Sequence, residues 1–131
     1  FDASSIAVVP SAVDATVYQN LDRSWARRDW LKVAGWPDSA FIIGCASALV
    51  PAKGHDSLFQ AFAPLIQSHP DAYLLLAGEG SHRAVLEGIV KALKIEHRVR
   101  FLGHIENVPE FLSALDLMVM PSLNEGLGTI V

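Results

Sequence analysis

The chain has 131 residues, of which 51% are hydrophobic and 18% charged, and its formal net charge is −4. That length suits one compact domain with its own core and is short for two, while so apolar a composition excludes a disordered segment. The acidic balance, with no Lys/Arg cluster larger than Arg27-Arg28, argues against nucleic acid as a partner, because such a surface needs a basic stripe to displace counterions.

Along the chain, short β-rich runs alternate with stretches of helical spacing. Ile6-Ala7-Val8-Val9 reads as a first strand. Residues 23–34 carry a weaker helical pattern, stopped by Gly35 and Pro37. Phe41-Ile42-Ile43-Gly44-Cys45 is the next strand, and its lone cysteine reads as a buried small hydrophobe rather than a nucleophile. A reducing, cytoplasmic setting follows from that single thiol.

Leu58, Ala61, Phe62, Leu65 and Ile66 then line one face of a helix. Pro64 inside it is expected to clash with the Gln60 carbonyl and to kink or end the helix. Tyr73-Leu74-Leu75-Leu76 is a strand, and Val85, Leu86, Ile89 and Leu93 form a helical face with Ser81 placed to cap it. Val99-Arg100-Phe101-Leu102 and Leu117-Met118-Val119-Met120 complete the strands. Their continuous apolarity suggests cover on both faces. Alternation of this kind requires crossovers, so the expected fold is α/β, a Rossmann-like doubly wound parallel sheet. No apolar run reaches the roughly eighteen residues a spanning helix needs. The apolar excess fits either a doubly covered sheet or a surface that further chain would cover.

Ligands of such folds bind at the carboxyl ends of the strands. The loops in question are 48–55, 78–82, 103–108 and 121–128, each with Gly, Pro or both. In the first, Lys53 stands at the mouth of a helix, where its ammonium and the free N–H groups of the helix suit a phosphate or diphosphate. A solvated lysine on a surface turn is the plain alternative, and the spaced glycines of a Walker loop are missing. The second, Ala77-Gly78-Glu79-Gly80-Ser81-His82, lacks the third glycine of a dinucleotide fingerprint, so Glu79 and Ser81 serve equally well as turn and cap residues. In the third, Glu125 after a strand can accept hydrogen bonds from sugar hydroxyls, and the N–H groups from Gly126 onward can point at phosphate. A polar surface loop is the alternative there.

Five segments in register resemble the C-terminal half of group 1, family-4 type glycosyltransferases of the GT-B fold. They are Ile6 through Asp14, Leu49 through Asp56, His69 through Gly80, Arg98 through His104 and Asp116 through Gly128. The resemblance implies a donor-binding domain, one of two facing Rossmann-like domains, that holds a nucleoside diphosphate sugar for transfer with retention and without a metal. The acceptor, whether glycan, lipid or small molecule, would sit on an N-terminal domain. Residues 1–131 would thus be a partial nucleotide-sugar-binding domain, without the acceptor domain and the C-terminal helices, and inactive alone. The parent would be cytoplasmic, at or away from the inner face of the membrane.

By position, Lys53 would bind the donor diphosphate and neutralise charge on the leaving group. Glu125 would hold the sugar hydroxyls, with Gly54, Gly126, Leu127, Gly128 and Thr129 close to the sugar and diphosphate. His104 and Ile105 would lie beside the base. Lys53 and Glu125 are the expected catalytic pair.

Two departures stand out. Ser47-Ala48-Leu49 occupies the place of the family's Gly-Arg-Leu, so the arginine that shares the diphosphate is replaced by Ala48, and a bidentate contact is lost. The family's second glutamate falls beyond Val131. A GT-B module that has lost catalysis is therefore the competing expectation. A receiver-type signalling domain would need an acidic cluster at the first strand, which is absent. His55 could reach phosphate or act as a cap or solvated side chain, and Asp116 reads as structural.

Overall fold

A computed structural model describes residues 14–124. The expected first strand at Ile6-Ala7-Val8-Val9 lies outside them, as do Glu125, Gly126, Leu127, Gly128 and Thr129. Four strands among the described residues, β1 (Phe41–Ala46), β2 (Ala72–Ala77), β3 (Val99–Gly103) and β4 (Leu117–Met118), form one parallel sheet in the order β3-β2-β1-β4. Four helices pack on it: α1 (Arg23–Ala34), α2 (His55–Ser68), α3 (Arg83–Ala92) and α4 (Val108–Ala114). The fold is the expected doubly wound α/β sheet.

The two central strands are apolar throughout because both faces are covered. Ile43, Cys45, Leu74 and Leu76 pack with Phe59 and Phe62 of α2 and with Leu86 and Val90 of α3. Ile42, Ala46, Leu75 and Ala77 pack on the other face with Leu31 and Ala34 of α1 and Phe111 of α4. The side-chain period of two thus feeds two cores from one run.

From β1 the chain moves through α2 to β2 and through α3 to β3, then returns by α4 to pair β4 with the opposite edge of β1. The direction of winding reverses at β1. The crevice such a reversal opens lies at the carboxyl ends of β1 and β4. At the other end of the sheet, Asp116 ties elements together: its carboxylate accepts from the Ile42 amide and Arg27 Nη1, each at 2.8 Å, and from Arg23 Nη2 at 3.1 Å. This is the structural role expected of it, and it fastens α1 to the start of β4.

Several local expectations are corrected. Helix α2 continues past Pro64 to Ser68. Pro64 and Gln60 are both exposed, so the missing bond falls on the solvent side while Phe59 and Phe62 hold the buried side. The cap position of α3 is His82 rather than Ser81, with no side-chain capping bond, because the His82 amide is drawn to the Leu49 carbonyl at 2.9 Å. Of the expected face, Leu86 is buried and Ile89 and Leu93 pack against the same core, but Val85 is 52% exposed and Val90 is buried in addition.

The last strand is two residues long rather than four. It forms an edge, paired to β1 through Ile43↔Leu117 and Gly44↔Met118, and Leu117 and Met120 are 48% and 45% exposed. Cover on both faces therefore holds for β1 and β2 but not for β4. Both explanations of the apolar excess have a counterpart here: the doubly covered sheet, and exposed apolar groups along the β4 side.

Candidate functional site

The loop after β1 builds the first wall of the crevice. Pro51–Lys53 form one 3-10 turn, Gly54 follows with φ 66°, and α2 starts at His55. Proline presets the turn, and the left-handed step at Gly54 redirects the chain into the helix at little cost for glycine. Lys53 thus stands at the mouth of the helix, two residues before its first residue, as expected.

The loop after β4 lies directly against this turn. The Leu123 amide donates to the Ala52 carbonyl at 2.9 Å, and a β-carbon on Gly54 would collide with the Pro121 carbonyl. Asn124, the last described residue, immediately precedes Glu125 in the sequence. The expected partner of Lys53, Glu125, is itself outside the described residues, as are Gly126, Leu127, Gly128 and Thr129.

The loops after β2 and β3 join the same end of the sheet. Leu49 donates to the Glu79 carbonyl at 2.9 Å, Ser47 to Ala77 at 3.0 Å, and Gly78 to Gly103 at 2.7 Å. Between them opens a recess of about 340 Å³, lined by Ser47, Ala48, Gly78, Glu79, His104 and Ile105 among others. His104 and Ile105 are therefore brought to one recess, whereas Lys53 and Gly54 lie on the adjacent loop, outside its lining. Ala48 lines the recess and is exposed. Glu79 is drawn outward into an ion pair with Arg83 at 2.6 Å, on the solvent side, where it is worth little.

Under the lysine loop sits a cluster that sequence reasoning missed. His55 is neither a cap nor solvated: it is 1% exposed. Its Nε2 lies 3.1 Å from Ser47 Oγ and 3.8 Å from Cys45 Sγ, and its Nδ1 has no partner among the described residues. Burial pulls its pKa below the ordinary value, Asp56 opposes that, and the His82 and Lys53 charges add to it. Burial likewise raises the Cys45 thiol, offset in part by the Ser47 hydrogen bond and Lys53, so Cys45 is the inert, buried group expected of it. Asp56 in turn meets His82 Nε2 at 3.0 Å. One signal pointed to His55: it shares the helical stripe of Phe59 and Phe62, at spacings of four and seven. Among the described residues, no group of three or more His, Cys, Asp and Glu side chains is arranged to hold a metal ion.

The winding and the gathered loops define a Rossmann-like domain whose open end is the carboxyl end of its sheet. The family model of glycosyl transferases group 1 matches residues 26–131, and the chain belongs to that family. It is 35% identical over 125 residues to the GDP-mannose-dependent monoacylated alpha-(1-6)-phosphatidylinositol monomannoside mannosyltransferase of Corynebacterium glutamicum, covering 92% of this chain and 31% of the relative. Over 126 residues it is 33% identical to N-acetyl-alpha-D-glucosaminyl L-malate synthase of Bacillus anthracis, covering 96% of this chain and 32% of that enzyme. The chain spans about a third of the length of these curated relatives.

Among solved structures, HepE of Anabaena in complex with UDP superposes with a TM-score of 0.76 at 26% identity, over 90% of this chain and 32% of that one. The C-terminal domain of the group 1 glycosyl transferase LpcC from Francisella tularensis does so with a TM-score of 0.74 at 25% identity, over 91% of this chain and 63% of that one. The resemblance to the C-terminal, GT-B half of the family is thereby established.

Proposed function

We propose that this chain is the donor-binding part of a retaining glycosyltransferase that takes a sugar from a nucleoside diphosphate sugar. In this reading the base lies in the recess beside His104 and Ile105, and the diphosphate lies toward Lys53 and the start of α2. Lys53 places its positive charge where negative charge develops on the leaving diphosphate. That charge comes from the protein rather than from a metal ion. Glu125 accepts hydrogen bonds from sugar hydroxyls, while Gly126, Leu127, Gly128 and Thr129 bring backbone N–H groups to sugar and phosphate. The acceptor glycan, lipid or small molecule is held by a separate N-terminal domain, so residues 1–131 alone do not transfer sugar. The whole enzyme works in a reducing, cytoplasmic setting, which the lone buried Cys45 supports, and it can act at the inner face of the membrane.

One observation carries the reading: the Leu123–Ala52 hydrogen bond joins the loop that bears Lys53 to the loop that runs toward Glu125, at the switch point of the sheet. Calorimetric titration of the full-length protein with UDP and GDP tests it. Binding of at least one, weakened roughly tenfold or more by Lys53→Ala, is the expected result. Equal binding by the variant, or none by either protein, overturns it.

A second reading, a GT-B module without catalysis, is favoured by Ala48, which faces the recess where the family carries arginine. Ala48→Arg in the full-length protein separates the two. Transfer that appears only in the variant supports the degenerate module, and transfer by the unmodified protein rules it out.

A further inference from the structure

A polar pair beneath the recess is left unused by this reading. Ser47 immediately follows β1, half-buried, and lines the recess. His55, at the start of α2, is 1% exposed and holds its Nε2 3.1 Å from the Ser47 hydroxyl. Its Nδ1 has no partner among the described residues.

That asymmetry selects a tautomer. A proton on Nδ1 would be a buried donor with no acceptor, the costlier orphan, whereas a proton on Nε2 leaves only a bare lone pair at Nδ1. With the proton on Nε2, the ring donates to Ser47 Oγ. The serine oxygen is then an acceptor toward His55, and its own hydrogen must point elsewhere. Among the described residues the alternative acceptor is Cys45 Sγ, 3.8 Å away and a weak one. The other direction is the edge of the recess beside the start of α2, where His55 adjoins Ser47.

Charge makes that direction meaningful. Lys53 ends the turn that leads through Gly54 into α2, two residues before His55, the partner of Ser47, and its charge bears on both His55 and Cys45. An anion drawn to Lys53 therefore comes within the surroundings of Ser47, while the neighbouring Ala48 offers no side-chain donor.

We infer that Ser47, oriented by His55, donates a hydrogen bond from its hydroxyl to the diphosphate of the bound nucleotide sugar. Ser47 is a ligand-binding residue and His55 is the positioning residue that fixes its direction. The inference rests on the nucleotide-sugar reading above and adds a neutral donor to the cation that reading already uses.

Two measurements on the full-length protein test it. Long-range proton–nitrogen NMR of the His55 ring reports the tautomer without any substitution, and a proton on Nε2 is expected. Calorimetry with UDP and GDP compares Ser47→Ala with the unmodified protein at equal thermal stability, and a loss of roughly tenfold is expected for whichever nucleotide binds. A proton on Nδ1, or unchanged affinity in Ser47→Ala, overturns the inference and leaves the donor-site reading standing. An unmodified protein that binds neither nucleotide overturns both.

Discussion

Gly54 lies so close to the Pro121 carbonyl that no β-carbon fits between them. Its φ of 66° is also one that L side chains adopt at a cost. The loops after β1 and β4 can meet because this residue is glycine. Gly54→Ala is expected to destabilise the fold by about 1–3 kcal/mol from the strained backbone and the displaced carbonyl, visible as a lower denaturation midpoint. It should weaken nucleoside diphosphate binding as well. A variant as stable as the original would mean that the two loops are held apart in solution.

Asp116 gathers Ile42, Arg27 and Arg23 onto one carboxylate at the end of the sheet remote from the recess. Asp116→Ala leaves the Ile42 amide without its partner and, among the described residues, the Arg27 guanidinium with only the Ala114 and Ala40 carbonyls, and a loss of about 1–3 kcal/mol is expected. Arg23, with its side chain 61% exposed, adds little to that figure. Denaturant titration checks the stability, and nucleotide affinity measured well below the midpoint should stay unchanged. A loss of affinity there would show that the carboxylate acts on the site as well as on the fold.

His55 gives stability a pH dependence whose sign follows from its burial. Its folded pKa lies below the ordinary value of 6.5, with burial the first cause. Above that value the ring is neutral in both folded and unfolded chains and contributes no slope. Below it the unfolded chain takes up a proton that the folded chain refuses, so stability falls as pH drops from 6.5 toward the lowered folded value. Thermal melts across that window should show this fall in the unmodified protein and a shallower one in His55→Gln. Parallel curves would remove His55 as its source.

Much of the fold was legible because β1 and β2 are apolar at every position that the two cores require. What misled was local. Pro64 breaks helical rules, yet with its neighbours Phe59 and Phe62 buried and its own side exposed, packing outweighs one lost bond. An apolar run at a sheet edge looks the same in sequence as one in the middle, so the four-residue run 117–120 does not show that only Leu117 and Met118 pair.

At the site, motif position was enough to bring His104 and Ile105 to a recess and Lys53 to the mouth of α2. It was not enough for Ser47 and His55, whose pairing depends on how β1 and α2 pack. In the sequence, Ser47 stands out only as part of the departure from the family pattern, and His55 fits a phosphate contact, a cap or a solvated side chain equally well.

Chemical-shift mapping of the full-length protein during titration with UDP and GDP tests most directly whether these loops form one donor site. The account predicts that at least one nucleotide shifts the amides of Lys53, Gly54, His104, Ile105, Leu123 and Asn124 together, with a single saturation curve. Shifts confined to residues remote from this end of the sheet, such as the groove lined by Tyr18, Leu21 and Leu112, or separate curves for Lys53 and Leu123, would contradict it.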